Sequence, residues 1–275
     1  MVTDSGCESP SARKPTAVVE SWKLEFPIEI VEPAPATLEE FLLAHDESFV
    51  KDVLACKRSN GFGNKSNAVA AALPYTTGAM LSAARHVLIS GGAAAAPCSG
   101  FHHAGYARAE GFCTFNGLMV TALALKKAGR IQRVGILDLD MHYGNGTDNI
   151  IKKHACEGWL WHFTGGARYT RPTQATEFFN ETLPEILTAM SMCDLVLYQA
   201  GADPHIDDPY GGWLTTAELQ KRDAMVFEAL SKAKVPVAWN LAGGYQREPD
   251  GSIPKVLEIH DNTMRECIRV FGINR

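Results

Sequence analysis

The sequence predicts an α/β protein with a mostly parallel, doubly wound sheet and helices on both faces. Helical stretches alternate along the chain with short apolar runs of the kind that form buried strands. The length of 275 residues suits one large domain. We therefore expect a single domain over residues 1–275.

Four helices are predicted from the spacing of the apolar residues. They cover Thr37 to Cys56, Val69 to Leu88, Gly117 to Lys127, and Thr216 to Lys234. The last begins with a Thr-Thr-Ala-Glu capping-box pattern, and its charged side is interpreted as a solvated face. Residues 1–36 contain several prolines and no clear helical period, so we predict an irregular N-terminal segment there.

Three apolar runs are predicted to be strands: Arg133 to Met141, Asp194 to Ala200, and Val235 to Leu241. The segment Gly91 to Gly100 is rich in glycine and alanine. It is predicted to be a flexible loop that leads into a pair of histidines.

Composition narrows the functional classes. Hydrophobic residues make up 46% and charged residues 21%, as in ordinary globular proteins, and the net charge of -5 argues against a nucleic-acid partner. No apolar run is long enough to span a membrane, and the amino terminus lacks the apolar core of a secretory signal. The seven cysteines are scattered and form no C-x-x-C pair. We expect a cytoplasmic protein without a membrane partner, and a homo-oligomer stays open.

A metal site is predicted at the end of the first strand. Asp138, Asp140 and His142 alternate along it and therefore share one face. Two neighbouring carboxylates on an otherwise apolar strand repel each other and are costly to bury, and a bound cation removes both penalties. The alternative is that they lie at an exposed strand end and face water.

Two further polar residues follow the other predicted strands. Asp203 comes after the second strand and Tyr245 after the third, and ligands of open α/β sheets bind beyond the carboxyl ends of the strands. Asp140, His142 and Asp203 would give a cation three ligands and leave one position for water, as in catalytic zinc sites. Iron(II) or manganese also suits so oxygen-rich a set. Taken alone, Asp203 would be a turn residue and Tyr245 a core tyrosine.

The tandem histidines His102 and His103 are weak signals alone. Beside a metal, one of them could be the general base for a water molecule. Asp138 and Asn145 are candidates to orient the two imidazoles.

These residues lie in motifs that closely resemble those of the histone deacetylase superfamily, in the same order and over roughly residues 97 to 245. The resemblance is to class II-like members, including bacterial histone deacetylase-like amidohydrolases and acetylpolyamine amidohydrolases, because Asn145 stands where class I-type members have Asp. It implies the arginase/deacetylase-like version of the predicted fold. The matching stretches are Gly100 to Ala104, Glu110 to Asn116, Asp138 to Thr147, Gly201 to Asp203, Asp208 to Gly212, and Gly243 to Tyr245.

The resemblance assigns a role to each matching residue. It implies one zinc ion per chain held by Asp140, His142 and Asp203, with His103 as general base oriented by Asn145. His102 is implied as an electrostatic partner paired with Asp138, and Tyr245 as the tyrosine that stabilises the oxyanion. The residues implied to contact substrate are Gly111 and Phe112 in the tunnel wall, Tyr210 at the gating position, Gly243 and Gly244 before the tyrosine, and Arg13 at the floor of the acetate channel. For Arg13, a plain surface arginine is the alternative.

The family's amino-terminal His-Pro-Glu-type motif is absent, and Ser9 to Pro15 occupy its place. Beyond that, the sequence departs from the family pattern at two places. Tyr143 stands where many members have a second histidine, and Trp159 to Phe163 lacks the usual Ser-x-His. Backbone carbonyls from Asp138 to His142 resemble the family's structural potassium site, which the second departure puts in question.

The predicted function is zinc-dependent hydrolysis of an N-acylated amine with release of acetate. The substrate is an acetylated amine, either acetyl-lysine or a small molecule such as an acetylpolyamine. An arginase-like hydrolase is disfavoured because the motif offers only one complete ligand set. A silent binding module is disfavoured because the tyrosine, the histidines and the ligand residues are all present.

Overall fold

A computed structural model describes residues 5, 6 and 9–272 and contains one five-stranded, fully parallel sheet. The strands are β1 (Ala93–Ala96), β2 (Val134–Asp138), β3 (Leu160–Thr164), β4 (Leu195–Gly201) and β5 (Val237–Ala242). Their order across the sheet is β1-β5-β4-β2-β3. Because all strands are parallel, their carboxyl ends lie along one edge, and β2, β4 and β5 are neighbours there.

Ten α-helical segments are found in the described residues. They are α1 (Lys14–Glu25), α2 (Leu38–Ala44), α3 (Glu47–Leu54), α4 (Asn67–Ser90), α5 (Gly117–Lys127), α6 (Asn145–His154), α7 (Ala175–Glu177), α8 (Leu183–Met190), α9 (Thr216–Ala233) and α10 (Pro254–Phe271). A π-helical segment, Phe178–Thr182, joins α7 to α8. Short 3-10 turns cover Pro10–Ala12, Gly165–Ala167 and Pro172–Gln174.

The helices cover both faces of the sheet, as a doubly wound fold requires. Side chains of alternate strand residues point to opposite faces, so Ile136 packs with the helices α2 to α6 while Leu137 packs with α1, α8, α9 and α10. Both strand residues are fully buried. The predicted fold class is therefore confirmed.

Three of the four helix predictions match α4, α5 and α9, whereas α1, α6, α7, α8 and α10 were not predicted. The first predicted helix is two helices, α2 and α3, because Asp46 caps a new helix through its carboxylate to the N–H of Phe49. The prediction of an irregular segment over residues 1–36 is wrong, because α1 lies within it. That helix buries only a short stripe around Val18 and Trp22, and Trp22 packs against Trp239 of β5. Packing stabilises it, and the stripe is too short to show a period.

Two edge strands were not predicted. The segment that was predicted to be a flexible loop contains β1, four alanines paired with β5 in the register Ala93 to Val237. Alanine has little preference for strands, so the strand forms because β5 offers a pairing edge. On the other edge, β3 pairs with β2, with Thr164 opposite Asp138.

None of the helices in the described part of the chain is long and apolar enough to cross a membrane. The cysteines in that part are all unpaired: Cys56, Cys98, Cys113, Cys156, Cys193 and Cys267. Cys7 lies outside the described residues.

Candidate active site

The predicted metal ligands come together at the carboxyl edge of the sheet. Asp140, His142 and Asp203 present ligand atoms that all lie within 4.8 Å of one another. The prediction that β2 reaches Met141 is wrong, since the strand ends at Asp138 and the two ligand residues that follow lie in a loop. The path of this loop places them beside Asp203, and the alternation of side chains along a strand plays no part.

The distances within this cluster suit a single small cation. Nδ1 of His142 lies 3.2 Å from Oδ1 of Asp140 and 3.0 Å from Oδ2 of Asp203. Two ligands of a tetrahedral zinc ion with bonds of about 2.0 Å would stand about 3.3 Å apart. Two carboxylates and one imidazole are also a donor set that divalent metals use. The residues present therefore fit the metal that the family pattern implies.

The buried carboxylates of this cluster stabilise a positive charge between them. Asp203 is fully buried and Asp140 is 4% exposed. Burial, together with the charge of Asp140, raises the pKa of Asp203 to about 7. Hydrogen bonds to the two carboxylates raise the pKa of His142 to about 11. The carboxylates thus favour a cation between them, either an imidazolium or a bound metal.

His102 is held beside the cluster by Asp138. Its Nδ1 lies 2.8 Å from Oδ2 of Asp138, and both side chains are buried. Oδ1 of the same carboxylate accepts from Nε2 of Gln199 and from the N–H of Asp140. Burial alone would lower the pKa of His102, but the charges of Asp138 and Asp140 outweigh it and raise the pKa to about 9. The carboxylate of Asp138 thus favours the protonated form of His102.

His103 is arranged differently, with its ring 4.0 Å from that of His102. Its Nδ1 donates to Oδ1 of Asn145 at 2.7 Å, which leaves Nε2 with a free lone pair. Burial and the charge of His102 lower the pKa of His103. The two neighbouring histidines thus differ: Asp138 favours the charged form of His102, and burial favours the neutral form of His103.

Glu110 fixes the orientation of the Asn145 amide, which sequence reasoning missed. Nδ2 of Asn145 donates to Oε2 of Glu110 at 3.3 Å, and Arg108 pairs with the same oxygen at 3.1 Å. With its NH2 group turned to Glu110, the amide must present its oxygen to His103. Glu110 lies in a stretch of the sequence that was matched to the family, but only the fold shows which side chain it contacts.

Aromatic rings form one wall of the site. The ring of Phe112 lies 5.9 Å from that of Tyr245, and Tyr245 lies 4.8 Å from Tyr210 in a T-shaped arrangement. Gly111, beside Phe112, has a φ of +55°, and a Cβ there would lie 2.5 Å from the His103 ring. Glycine is therefore needed for the close approach of this wall to the base. Tyr210 is 60% exposed, so it lies at the mouth.

Tyr245 is placed by a glycine turn. Gly243 has a φ of +48°, and a Cβ on it would overlap the carboxylate of Asp203. Gly244 packs against Val256, and the N–H of Tyr245 donates to Oδ2 of Asp208 at 2.8 Å. Burial and the charges of Asp203 and Asp140 raise the pKa of the Tyr245 phenol. The hydroxyl thus stays protonated and able to donate.

Lys14, not Arg13, is the buried cation behind the site. Arg13 is exposed, as the surface alternative anticipated, whereas Lys14 is fully buried and its Nζ donates to the carbonyl oxygen of Gly243. Burial lowers the pKa of Lys14 to about 8, while the carboxylate of Asp203 acts to raise it. The sequence offered two adjacent basic residues, and the turn of α1 decides which one points inward.

At the first departure from the family pattern, Tyr143 forms a side-chain cluster with two other residues. Its hydroxyl donates to Oδ2 of Asp148, and Nδ1 of His162 lies 2.7 Å from Oδ1 of the same carboxylate. His162 belongs to β3, in the segment where the family's Ser-x-His is missing. Asp148 thus links α6 to the edge strand.

The family model described as histone deacetylase domain matches residues 11–156, more than half of the chain. The matched region contains the tandem histidines, Asp138, Asp140, His142 and Asn145, while Asp203 and Tyr245 lie beyond it.

Curated relatives and solved structures agree with that match. The acetoin utilization protein AcuC of Staphylococcus aureus (strain MRSA252) is 28% identical over 226 residues, which cover 66% of this chain and 57% of that protein. The polyamine deacetylase HDAC10 of Danio rerio is 25% identical over 290 residues, which cover 88% of this chain and 42% of that protein. The chain thus spans about half the length of these relatives.

Two solved structures share the fold at low identity. The HD domain of HDA15 superposes with a TM-score of 0.77 and 20% identity, over 99% of this chain and 89% of that one. Acetylpolyamine aminohydrolase from Burkholderia pseudomallei superposes with a TM-score of 0.69 and 18% identity, over 94% and 91% of the two chains. With the site geometry and the family match together, the chain belongs to the histone deacetylase family.

Proposed function

We propose that this protein hydrolyses the acetyl amide of an N-acetylated amine and releases acetate. One observation carries the proposal: the cluster of Asp140, His142 and Asp203 lies at the same sheet edge as His103, whose Nδ1 is bound to Asn145, and Tyr245. Membership of the histone deacetylase family supports the same chemistry.

The three clustered side chains would hold one divalent cation, for which zinc is the first candidate and iron(II) or manganese the alternatives. When bound, such an ion supplies Lewis acidity that polarises a carbonyl and makes a water molecule easier to deprotonate. A structural potassium ion at the carbonyls of Asp138 to His142 stays a separate proposal. Gly165 lies close to two of these oxygens, those of Asp138 and Asp140.

His103 accepts the proton of the attacking water at Nε2. Its Nδ1–H is committed to Asn145, so Nε2 is the nitrogen with a free lone pair. The same nitrogen then returns the proton to the departing amine. His102 stays in place, bound to Asp138. Burial and the nearby His102 lower the pKa of His103, which favours the unprotonated form that a base needs.

Tyr245 donates its hydroxyl proton in a hydrogen bond to the carbonyl oxygen as negative charge develops there. Donors aimed at such an oxygen in a water-poor site contribute strongly to catalysis. Behind the site, Lys14 offers its remaining N–H groups to the acetate carboxylate. Its hydrogen bond to the carbonyl oxygen of Gly243 places this ammonium group next to the glycine turn that precedes Tyr245.

We propose a small acetylated amine, such as an acetylpolyamine, as the substrate class. The rings of Phe112, Tyr245 and Tyr210 offer apolar faces against which the methylene groups of such a substrate would pack. A relative named as a polyamine deacetylase and a structural neighbour named as an acetylpolyamine aminohydrolase support this choice. Acetyl-lysine in a peptide is the competing substrate.

We also propose a cytoplasmic location. The unpaired cysteines of the described residues are consistent with it.

The test is acetate release by zinc-loaded protein from acetylpolyamines, acetyl-lysine peptides and simple acetamides, with Tyr245→Phe as the matched control. We expect turnover of at least one acetylpolyamine and a loss of about 100- to 1,000-fold in kcat in the variant, as for other oxyanion donors. The variant should bind zinc like the wild type, because the hydroxyl is not a ligand.

Preferred turnover of the peptides would keep the reaction and replace the substrate class. No acetate from any compound, by protein shown to contain zinc, would contradict the proposed reaction.

A further inference from the structure

A buried arginine contacts the backbone where β2 and β4 end, just before the segments that carry the metal ligands. Arg222 of α9 is 1% exposed, although the sequence pattern placed the charges of this helix on a solvated face. Its Nη1 donates to the carbonyl oxygen of Leu139 at 3.1 Å and to that of Gly201 at 2.8 Å. Leu139 directly precedes Asp140, and Gly201 lies two residues before Asp203.

The two loops also contact each other at this point. A Cβ on Gly201 would lie 2.5 Å from the Cα of Asp140, so the backbones approach as closely as a glycine permits. The N–H of Met141 donates to Oδ1 of Asp203 at 3.0 Å. A shift of one loop against the other would therefore change the separation of the ligands, and one guanidinium binds both loops just before the ligands.

The arginine has its own counterion. Its Nε donates to Oδ1 of Asp223 at 2.8 Å, and that carboxylate also accepts from the hydroxyls of Tyr198 and Thr263. Nη2 is buried and finds no partner among the described residues. A buried ion pair of this kind adds little stability compared with apolar residues of the same size. The two carbonyl contacts point to a positional role.

We propose that Arg222 is a positioning residue that holds the loops of Asp140 and Asp203 at the separation the metal needs. This inference rests on the proposed metal site. The hydrogen bonds that Arg222 makes to these two segments go to backbone carbonyl oxygens. Its charge also interacts with that of Asp203, and a lysine in its place keeps this charge. Lysine would not be equivalent, because its single ammonium group lacks the planar fork that pairs with Asp223 and reaches both carbonyls at once.

The experiment compares zinc affinity, measured by competition with a chromophoric chelator, in the wild type and two variants. Arg222→Met/Asp223→Asn removes the guanidinium with its two carbonyl contacts and also removes both charges, so no unpaired charge is left buried. Thr263→Val alone is the control, because it removes a hydrogen bond to Asp223 but leaves the ion pair and both carbonyl contacts in place. We expect the double variant to bind zinc roughly 10- to 100-fold more weakly, as for other groups that orient metal ligands. The control should keep the wild-type affinity.

Thermal unfolding of the metal-free proteins separates positioning from folding. The inference expects a folded double variant whose defect is confined to zinc affinity. Wild-type affinity in that variant would overturn the inference while leaving the proposed function intact. Failure of the wild type to bind any divalent metal would overturn both.

If the double variant does not fold, Arg222→Lys gives the answer. It keeps the positive charge, but its side chain ends one bond short of Nη1, the atom that makes both carbonyl contacts. We expect weaker zinc binding in this variant, and an affinity equal to that of the wild type would overturn the inference.

Discussion

His45 gives the structure a pH-dependent stability that can be calculated and measured. The side chain lies between α2 and α3 and is 1% exposed. Its Nδ1 faces the carbonyl oxygens of Gly105 at 3.0 Å and Tyr106 at 3.3 Å, and its Nε2 accepts from the N–H of Asn116 at 2.9 Å. Every ring nitrogen is satisfied only when the imidazole is neutral with its proton on Nδ1. Protonation would set Nε2–H against another donor.

The size of the effect follows from the pKa. Burial lowers the pKa of His45 from 6.5 to about 4. In the unfolded chain the ring takes up a proton near pH 6.5, so acidification stabilises the unfolded state first. The stability contributed by the neutral ring is complete above pH 6.5 and is lost as the pH falls toward 4. Between pH 7.5 and pH 5 the loss should be about 2 kcal/mol.

Urea unfolding at these two pH values, on the wild type and on His45→Gln, measures that loss. Gln keeps an acceptor for the N–H of Asn116 but does not titrate. Other groups that destabilise the fold in acid, such as His260 with its lowered pKa, contribute equally to both proteins. The wild type should lose about 2 kcal/mol more than the variant on acidification. Equal losses would refute the neutral, buried state of His45.

Three further changes test the site. Glu110→Ala should lower kcat about 2- to 10-fold, which corresponds to the free energy of one hydrogen bond. In the Asn145→Asp background the same change should have no effect on kcat, because a carboxylate presents an oxygen to His103 in either orientation. Steady-state kinetics in both backgrounds check this, and the same loss in each would reject the orienting role. Gly243→Ala should weaken zinc binding, because the added Cβ must displace the carboxylate of Asp203. Competition with a chelator measures the zinc affinity, and an unchanged affinity would contradict this reasoning. Lys14→Met should weaken product inhibition by added acetate, because it removes the ammonium group that is proposed to bind acetate. The protein should stay folded, because the substitution removes a buried charge and leaves none unpaired. An unchanged inhibition constant would show that acetate does not contact this lysine.

The centre of the site could be predicted from the sequence because its residues stand out locally. Asp138, Asp140 and His142 break an apolar strand, and Asp203 and Tyr245 each follow another. A parallel sheet places all of these ends on one edge, so strand order alone brings them together. The loop after Asp138 replaced the predicted strand without changing that outcome.

The residues that support the centre could not be predicted, because their roles depend on tertiary contacts. Arg222 looked like one charge among several on a surface helix, yet α9 turns it onto the carbonyls of two strand ends. Lys14 and Arg13 are adjacent, and only the packing of α1 decides which is buried. The four alanines of β1 carry no strand signal without the pairing edge of β5.

The most direct test of the central claim is acetate release during stepwise addition of zinc to protein stripped of metal by a chelator. If Asp140, His142 and Asp203 hold the one divalent cation that the reaction needs, metal-free protein is inactive. Activity then rises in proportion to zinc and reaches its plateau at one ion per chain. Full acetate release by the metal-free protein would contradict the account.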